Sequence, residues 1–226
     1  TLAFTGCKDD EPFATAGEDD FPQILLPWFG EWNDGVPGEY KNFPRDIEYV
    51  DSVTVTPARH TTVEWFIDGE KVNEGLRYNA YFLAGTYTLK IVATTTKGLS
   101  TSRTGLITVR PLDDDPALAK DAKSRYLNPN TTATIAGTNL DGITGVYVGG
   151  VAAKDVVNNG ESLSFTVPEM AEGEYKIVLE SATMKYGCGD VTVSNEPWVD
   201  PSIVEVTLWE GDWNVTWDTP FKELQE

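Results

Sequence analysis

The sequence predicts an all-β protein: two tandem β-sandwiches, followed by the opening of a third β domain. Three observations predict this. Short β-branched segments alternate apolar and polar residues with a period of two. A proline-flanked run of carboxylates at Pro111–Pro116 divides these segments into two blocks. After residue 196, Trp209, Trp213 and Trp217 recur at even spacing, which puts all three on one face of a strand.

In the first block, Val53 and Val55 alternate with threonines, and Val63, Trp65 and Ile67 share a face of the next strand. The phase of Trp65 with its apolar neighbours marks it as core. Asp68-Gly69 reads as a hairpin turn, because glycine takes positive φ without a Cβ clash. Tyr87, Leu89, Ile91 and Ala93 then alternate with Thr88, Lys90 and Val92, and Ile107 and Val109 close the unit. In the second block the apolar positions are Ala133 and Ile135, Val146 and Val148, Leu163, Phe165 and Val167, Tyr175, Ile177 and Leu179, and finally Val191 and Val193.

Residues 21–44 differ from both blocks. Phe21, Trp28, Phe29, Trp32, Tyr40 and Phe43 lie among prolines and glycines, which reads as a turn-rich aromatic segment rather than a regular element. Residues 8–20 are acidic and small, as in a flexible tether. The expected organisation is 1–7 a signal remnant, 8–20 the tether, 21–111 the first sandwich, 112–122 a linker, 123–195 the second sandwich and 196–226 the start of a third domain. The linker, with Asp113, Asp114 and Asp115 adjacent, reads as too charged to bury, so each sandwich is expected to fold alone.

Each block carries a resemblance. Trp65-Phe66-Ile67-Asp68-Gly69 with Ala84-Gly85-Thr86-Tyr87-Thr88-Leu89-Lys90 resembles a PKD-type immunoglobulin-like domain over roughly residues 45–110. The run Ile135-Ala136-Gly137-Thr138-Asn139-Leu140, with Val148-Gly149-Gly150-Val151 and Phe165-Thr166-Val167-Pro168, resembles an IPT/TIG domain over about residues 123–195. Both resemblances imply immunoglobulin-like β-sandwiches that serve as non-catalytic spacers and binding modules. The stretch Thr207-Leu208-Trp209-Glu210-Gly211 resembles the opening strand of a C-terminal carbohydrate-binding β-sandwich, which implies that the third domain is cut short.

The N-terminal run Leu2-Ala3-Phe4-Thr5-Gly6-Cys7 passes from apolar to small residues and then to a cysteine. It resembles the end of a bacterial lipoprotein signal peptide, in which the Cys7 thiol accepts the lipid. Lys8, Asp9 and Asp10 resemble the surface-export signal of Bacteroidetes lipoproteins. Phe4 departs from the commoner leucine. With no initiator methionine and no basic n-region, the chain reads as a fragment that lacks most of its signal. The resemblance implies a lipid anchor in the outer membrane at the cell surface, since several acyl chains hold firmly where one does not.

Composition narrows the partners. The chain has 36 acidic against 17 basic residues, for a net charge of -19. Such a charge repels phosphate backbones, so no nucleic-acid partner is expected. Polyanionic glycans are likewise disfavoured unless a metal or a local basic patch intervenes. Of the two cysteines, a lipidated Cys7 leaves Cys188 alone, so no disulfide holds the fold.

Catalytic motifs are missing from the sequence. His60 is the only histidine, which rules out a two-histidine zinc motif. A Cys188–His60 dyad is formally conceivable, but the two fall in different blocks, and Cys188 sits between Gly187 and Gly189 in what reads as a loop. The Asp113–Asp115 run offers hard oxygen ligands for Ca²⁺, although a solvated linker is the favoured reading. Neither phosphate loop nor nucleophile elbow is present. The chain therefore reads as neither an enzyme nor the holder of a cofactor.

Tryptophans are the remaining candidates, because flat aromatic rings stack on the apolar faces of sugars. Trp28 and Trp32 are the candidate glycan platform, with packing against the sandwich end as the favoured alternative. Resemblance to surface glycan-binding proteins then implies a non-catalytic surface lipoprotein. It would hold a glycan-binding domain away from the outer membrane to capture polysaccharide or oligosaccharide beside a surface transporter complex. The rival readings are a structural or adhesive surface protein without a glycan site, and the accessory modules of a larger surface hydrolase.

Overall fold

The structure is a computed structural model that describes residues 16–25 and 36–200. Its regular elements are strands, apart from one short 3₁₀ turn at Ala58–His60. Both sandwiches lie in one compact unit that runs to Glu196; Pro197–Glu226 separates as a second unit, described only to residue 200. The alternating tryptophans at 209, 213 and 217, and with them the expected third domain, lie outside the described residues.

The first sandwich holds nine strands: β1 (Gln23–Leu25), β2 (Glu39–Pro44), β3 (Tyr49–Ser52), β4 (Thr54–Thr56), β5 (Thr61–Ile67), β6 (Glu70–Glu74), β7 (Arg77–Ala80), β8 (Gly85–Thr95) and β9 (Ser100–Arg110). One layer is a five-stranded sheet in the order β2-β9-β8-β5-β6. Facing it are the pairs β1-β4 and β3-β7. The predicted alternation is what fills the space between them. Val53, Val55, Val63, Trp65, Leu89, Ile91, Ala93, Ile107 and Val109 are all buried in one cluster. Trp65 is fully enclosed, and its indole N–H donates to the Gly75 carbonyl at 2.6 Å. The Asp68-Gly69 hairpin has positive φ at both positions, 49° and 88°, as the right-handed twist of a two-residue turn requires.

The second sandwich also holds nine: β10 (Ala117–Leu118), β11 (Tyr126–Leu127), β12 (Thr132–Thr138), β13 (Ile143–Val148), β14 (Val151–Ala152), β15 (Lys154–Asn158), β16 (Ser162–Thr166), β17 (Gly173–Ser181) and β18 (Lys185–Val193). Its sheets run β10-β12-β16-β15 and β11-β18-β17-β13-β14. A separate core of Ile135, Val146, Val148, Leu163, Phe165, Ile177, Leu179 and their neighbours lies between them.

Both sandwiches are entered in the same way. The incoming chain pairs first with one sheet and then crosses to the other: β1 with β4 and then β2 with β9, and β10 with β12 and then β11 with β18. The second pairing of each is parallel, within sheets otherwise antiparallel.

Three sequence expectations need correction. The aromatic segment 21–44 contains two strands, β1 and β2; the prolines that argued against strands are tolerated because β2 is a sheet edge that ends at Pro44. The stretch expected as linker supplies β10 to the second sandwich. Cys188 lies within β18 and is buried, not in a loop. Its flanking glycines misled the reading: Gly189 takes φ 86° beside a register shift in the ladder, and Gly187 is a site of close backbone approach.

Candidate functional site

None of the site residues expected from sequence falls where the structure describes side chains. Cys7, Lys8, Asp9, Asp10, Trp28 and Trp32 all lie outside the described residues. Their aromatic companions Tyr40 and Phe43 pack partly buried against the first core. The Phe43 ring lies 6.0 Å from Tyr49, and the Tyr40 hydroxyl donates to Asp51 at 2.6 Å. Tyr49 donates to the same carboxylate at 2.9 Å. Burial first, and then the hydrogen bond to Asp51 and its charge, push both phenols up.

The structure does assemble a site at the junction of the sandwiches, which sequence reasoning did not find. Arg45, just after β2, reaches Asp115 with both ends of its guanidinium: Nε donates to Oδ2 at 2.5 Å and Nη2 to Oδ1. The Leu112 amide donates to the same Asp115 carboxylate at 2.8 Å, and the Asn139 side-chain amide donates to the Asp115 carbonyl at 3.2 Å. Asp115 is thus buried, while its neighbours Asp113 and Asp114 stay exposed. The run expected to be wholly solvated is divided, because one of its carboxylates has a dedicated partner 70 residues upstream. Burial pushes the Asp115 carboxyl up, but Arg45 and the Leu112 amide outweigh this and hold it below the usual carboxylate range. Arg45 also lies over the Tyr186 ring of β18, 5.4 Å from its centre.

A second clasp lies nearby. Lys176 of β17 donates to the Thr86 carbonyl at 2.9 Å, pairs with Asp68 at 3.1 Å and sits 4.6 Å from the Tyr87 ring centre. The Asp68 carboxylate also accepts the Thr88 amide at 2.8 Å, so the hairpin residue of the first sandwich doubles as an anchor for the second. Between the two clasps the backbones nearly touch: a Cβ at Gly187 would stand 2.0 Å from the Ala84 carbonyl oxygen.

Arg125 secures the entry to the second sandwich. Its guanidinium donates to the carbonyls of Ala119, Leu118 and Cys188 at 2.6, 3.0 and 2.7 Å. Beside it the Cys188 thiol contacts the Pro116 carbonyl, and burial pushes its pKa up to about 11. His60 sits exposed on the turn before β5, and no hydrogen bond joins it to Cys188 among the described residues.

Two clefts open where the sandwiches meet. One, of about 460 Å³, is walled by small and apolar residues such as Ala84, Pro111, Pro116 and Leu118, with Arg110, Lys120 and Arg125 among its lining. The other, about 620 Å³ and more open, is lined by Asp68, Glu174, Tyr175 and Lys176. Thr86 and Asp190 border both. Among the described residues, no group of three or more histidine, cysteine or acidic side chains is placed to hold a metal ion.

These features define tandem immunoglobulin-like sandwiches joined through a fixed junction. Residues 123–195 match the family described as IPT/TIG domain, the same span on which the sequence carries that resemblance. Among solved structures, the chain is similar to SGBP-B of the Bacteroides ovatus mixed-linkage glucan utilization locus, solved with a mixed-linkage heptasaccharide. The two are 40% identical, and the match covers 79% of this chain and 48% of that one with a TM-score of 0.69. The chain therefore spans about half the length of the solved protein it matches. Weaker matches include SGBP-B from a complex xyloglucan utilization locus of Bacteroides uniformis, 19% identical over 53% of this chain and 32% of that one, with a TM-score of 0.28. Fibronectin(III)-like modules of Clostridium thermocellum CbhA are 16% identical over 76% and 92%, with a TM-score of 0.31. Superpositions this poor support no further comparison. No curated protein matches the sequence significantly.

Proposed function

We propose that this chain is the membrane-proximal part of a surface glycan-binding lipoprotein. The observation that carries the reading is the 40% identity to an SGBP-B over 79% of the chain, at a TM-score of 0.69. In this reading Cys7 bears the lipid, and Lys8, Asp9 and Asp10 direct export to the outer face of the outer membrane. The two sandwiches are the stalk. Each has its own core, and the Arg45–Asp115 and Lys176–Asp68 clasps join them into one strut. A stalk of this kind holds a glycan-binding domain, which begins after residue 196, away from the membrane and beside a surface transporter. The protein captures polysaccharide and does not cleave it.

The test uses the full-length protein. It should be retarded in gels that contain mixed-linkage glucan or another neutral polysaccharide, and should release no reducing ends. The Cys7→Ala protein should leave the membrane fraction yet keep its affinity. Failure to bind any neutral polysaccharide, or turnover of one, would refute the reading.

A further inference from the structure

The 460 Å³ cleft between the sandwiches has a chemistry of its own. In a chain of net charge -19, three cationic residues, Arg110, Lys120 and Arg125, line one small space. A single carboxylate, Asp190, lines it with them. Six of the fifteen described lysines and arginines form ion pairs, so what sets these three apart is that they share one cleft. Among the described residues, none of these three forms an ion pair. Arg125 spends three N–H groups on carbonyls, whereas Arg110 and Lys120 are exposed with their charges free. Two cations that line one small space attract an anion more strongly than a single surface lysine does, because their fields add there.

The rest of the lining limits what that anion is attached to. Ala84, Val109, Pro111, Pro116 and Leu118 give apolar walls with little side-chain bulk. Thr86 and Thr108 supply hydroxyls, and Gly85, Gly187 and Gly189 add no side-chain bulk. The volume falls within the usual range of small-molecule sites. Apolar C–H faces, several hydroxyls and one carboxylate are the matching features of a sugar acid.

We propose that this cleft binds a carboxylated sugar of the uronate class, with Arg110 and Lys120 holding the carboxylate. The choice of a sugar acid among small carboxylates rests on the glycan-binding reading above. The cleft is the local basic patch without which so acidic a chain repels acidic glycans.

The test is a titration of the protein with glucuronate, followed by amide chemical shifts in two-dimensional NMR. Glucose, acetate and inorganic phosphate are titrated in parallel. Glucuronate should shift the Thr86, Gly187 and Gly189 amides saturably, and the shifts should weaken at high salt. The variant Arg110→Gln with Lys120→Gln changes two exposed side chains, and an unchanged melting temperature will show that it folds. It should bind glucuronate about tenfold or more weakly, the effect of losing charge-assisted hydrogen bonds. No saturable shift, an undiminished shift in the double variant, or equal binding of acetate or phosphate each overturns the proposal. A full-length protein that binds glucuronate here but no neutral polysaccharide supports this site and sinks the earlier reading. The reverse result overturns this site and spares that reading.

Discussion

Replacing Asp115 with alanine should uncouple the two sandwiches. The Asp115 side chain is 4% exposed and that of Arg45 15%, so the pair is buried on one side and nearly so on the other. Deleting the carboxylate leaves a guanidinium with no anion and little water, and removes the acceptor of the Leu112 amide. Losing one partner of a buried ion pair costs about 3–5 kcal/mol, and the residual exposure of Arg45 places this case near about 3 kcal/mol. Because the two hydrophobic cores are separate, that loss should fall on the junction. Denaturant unfolding followed by near-UV circular dichroism and by tryptophan fluorescence should therefore change from one transition to two. The chain has seven tryptophans, so fluorescence is read in a variant whose other six are replaced by phenylalanine and then reports the Trp65 core, while the circular dichroism also carries the tyrosines of the second sandwich.

Asp115→Asn separates charge from shape and should lose less. Its difference from wild type depends on pH in a fixed direction. The folded Asp115 titrates below its ordinary value, so its contribution is full at neutral pH and is lost as pH falls below about 4 toward the folded value. A loss under about 0.5 kcal/mol for Asp115→Ala, the size of an ordinary surface substitution, would refute the clasp.

The remaining predictions probe neighbouring features. Trp65→Ala should destabilise the first sandwich by about 3–5 kcal/mol in denaturant unfolding, since the side chain is fully enclosed; a near-neutral result removes it from the core. Gly187→Ala should cost about 1–3 kcal/mol or splay the modules in small-angle scattering, because the added methyl meets the Ala84 carbonyl. In a Cys7→Ala background, Cys188 should react with thiol reagents near pH 8 on the order of a hundredfold more slowly than free cysteine, given its raised pKa and burial. Reaction at the free rate would contradict its place in β18. A fragment of residues 112–196 should be more stable than one of 123–195, because only the longer one keeps β10 and its buried Leu118; equal melting temperatures would make β10 dispensable.

The cores were legible because they obey a local rule. A period-two pattern needs only a few adjacent residues to show itself, and the alternating sets of the two sandwiches led to largely buried faces, while that of Trp209, Trp213 and Trp217 lies outside the described residues. The junction obeys no local rule. Arg45 and Asp115 are 70 residues apart, and nothing near either marks it as one half of a pair. Asp115 looks like its two exposed neighbours until the fold supplies Arg45. Lys176 and Asp68 are separated in the same way, and the Asp68-Gly69 signal was fully accounted for by the hairpin turn it makes.

Cys188 shows how a correct local inference reaches the wrong structure. Glycines on both sides of a residue argue for a loop on propensity alone. Here the first glycine is required because another sandwich's backbone occupies the space of its Cβ, and the second because the ladder shifts register beside it. Both reasons are tertiary. A Gly-x-Gly inside an otherwise alternating strand is therefore a signal for a contact surface rather than for an end of the sheet. In this chain that contact surface also lines the basic cleft, so the residues that fix the two sandwiches against each other are those that shape the space between them. Rigidity of the junction and binding in the cleft should accordingly fail together in Gly187→Ala, and separately in the Arg110 and Lys120 variant, which leaves every junction contact in place.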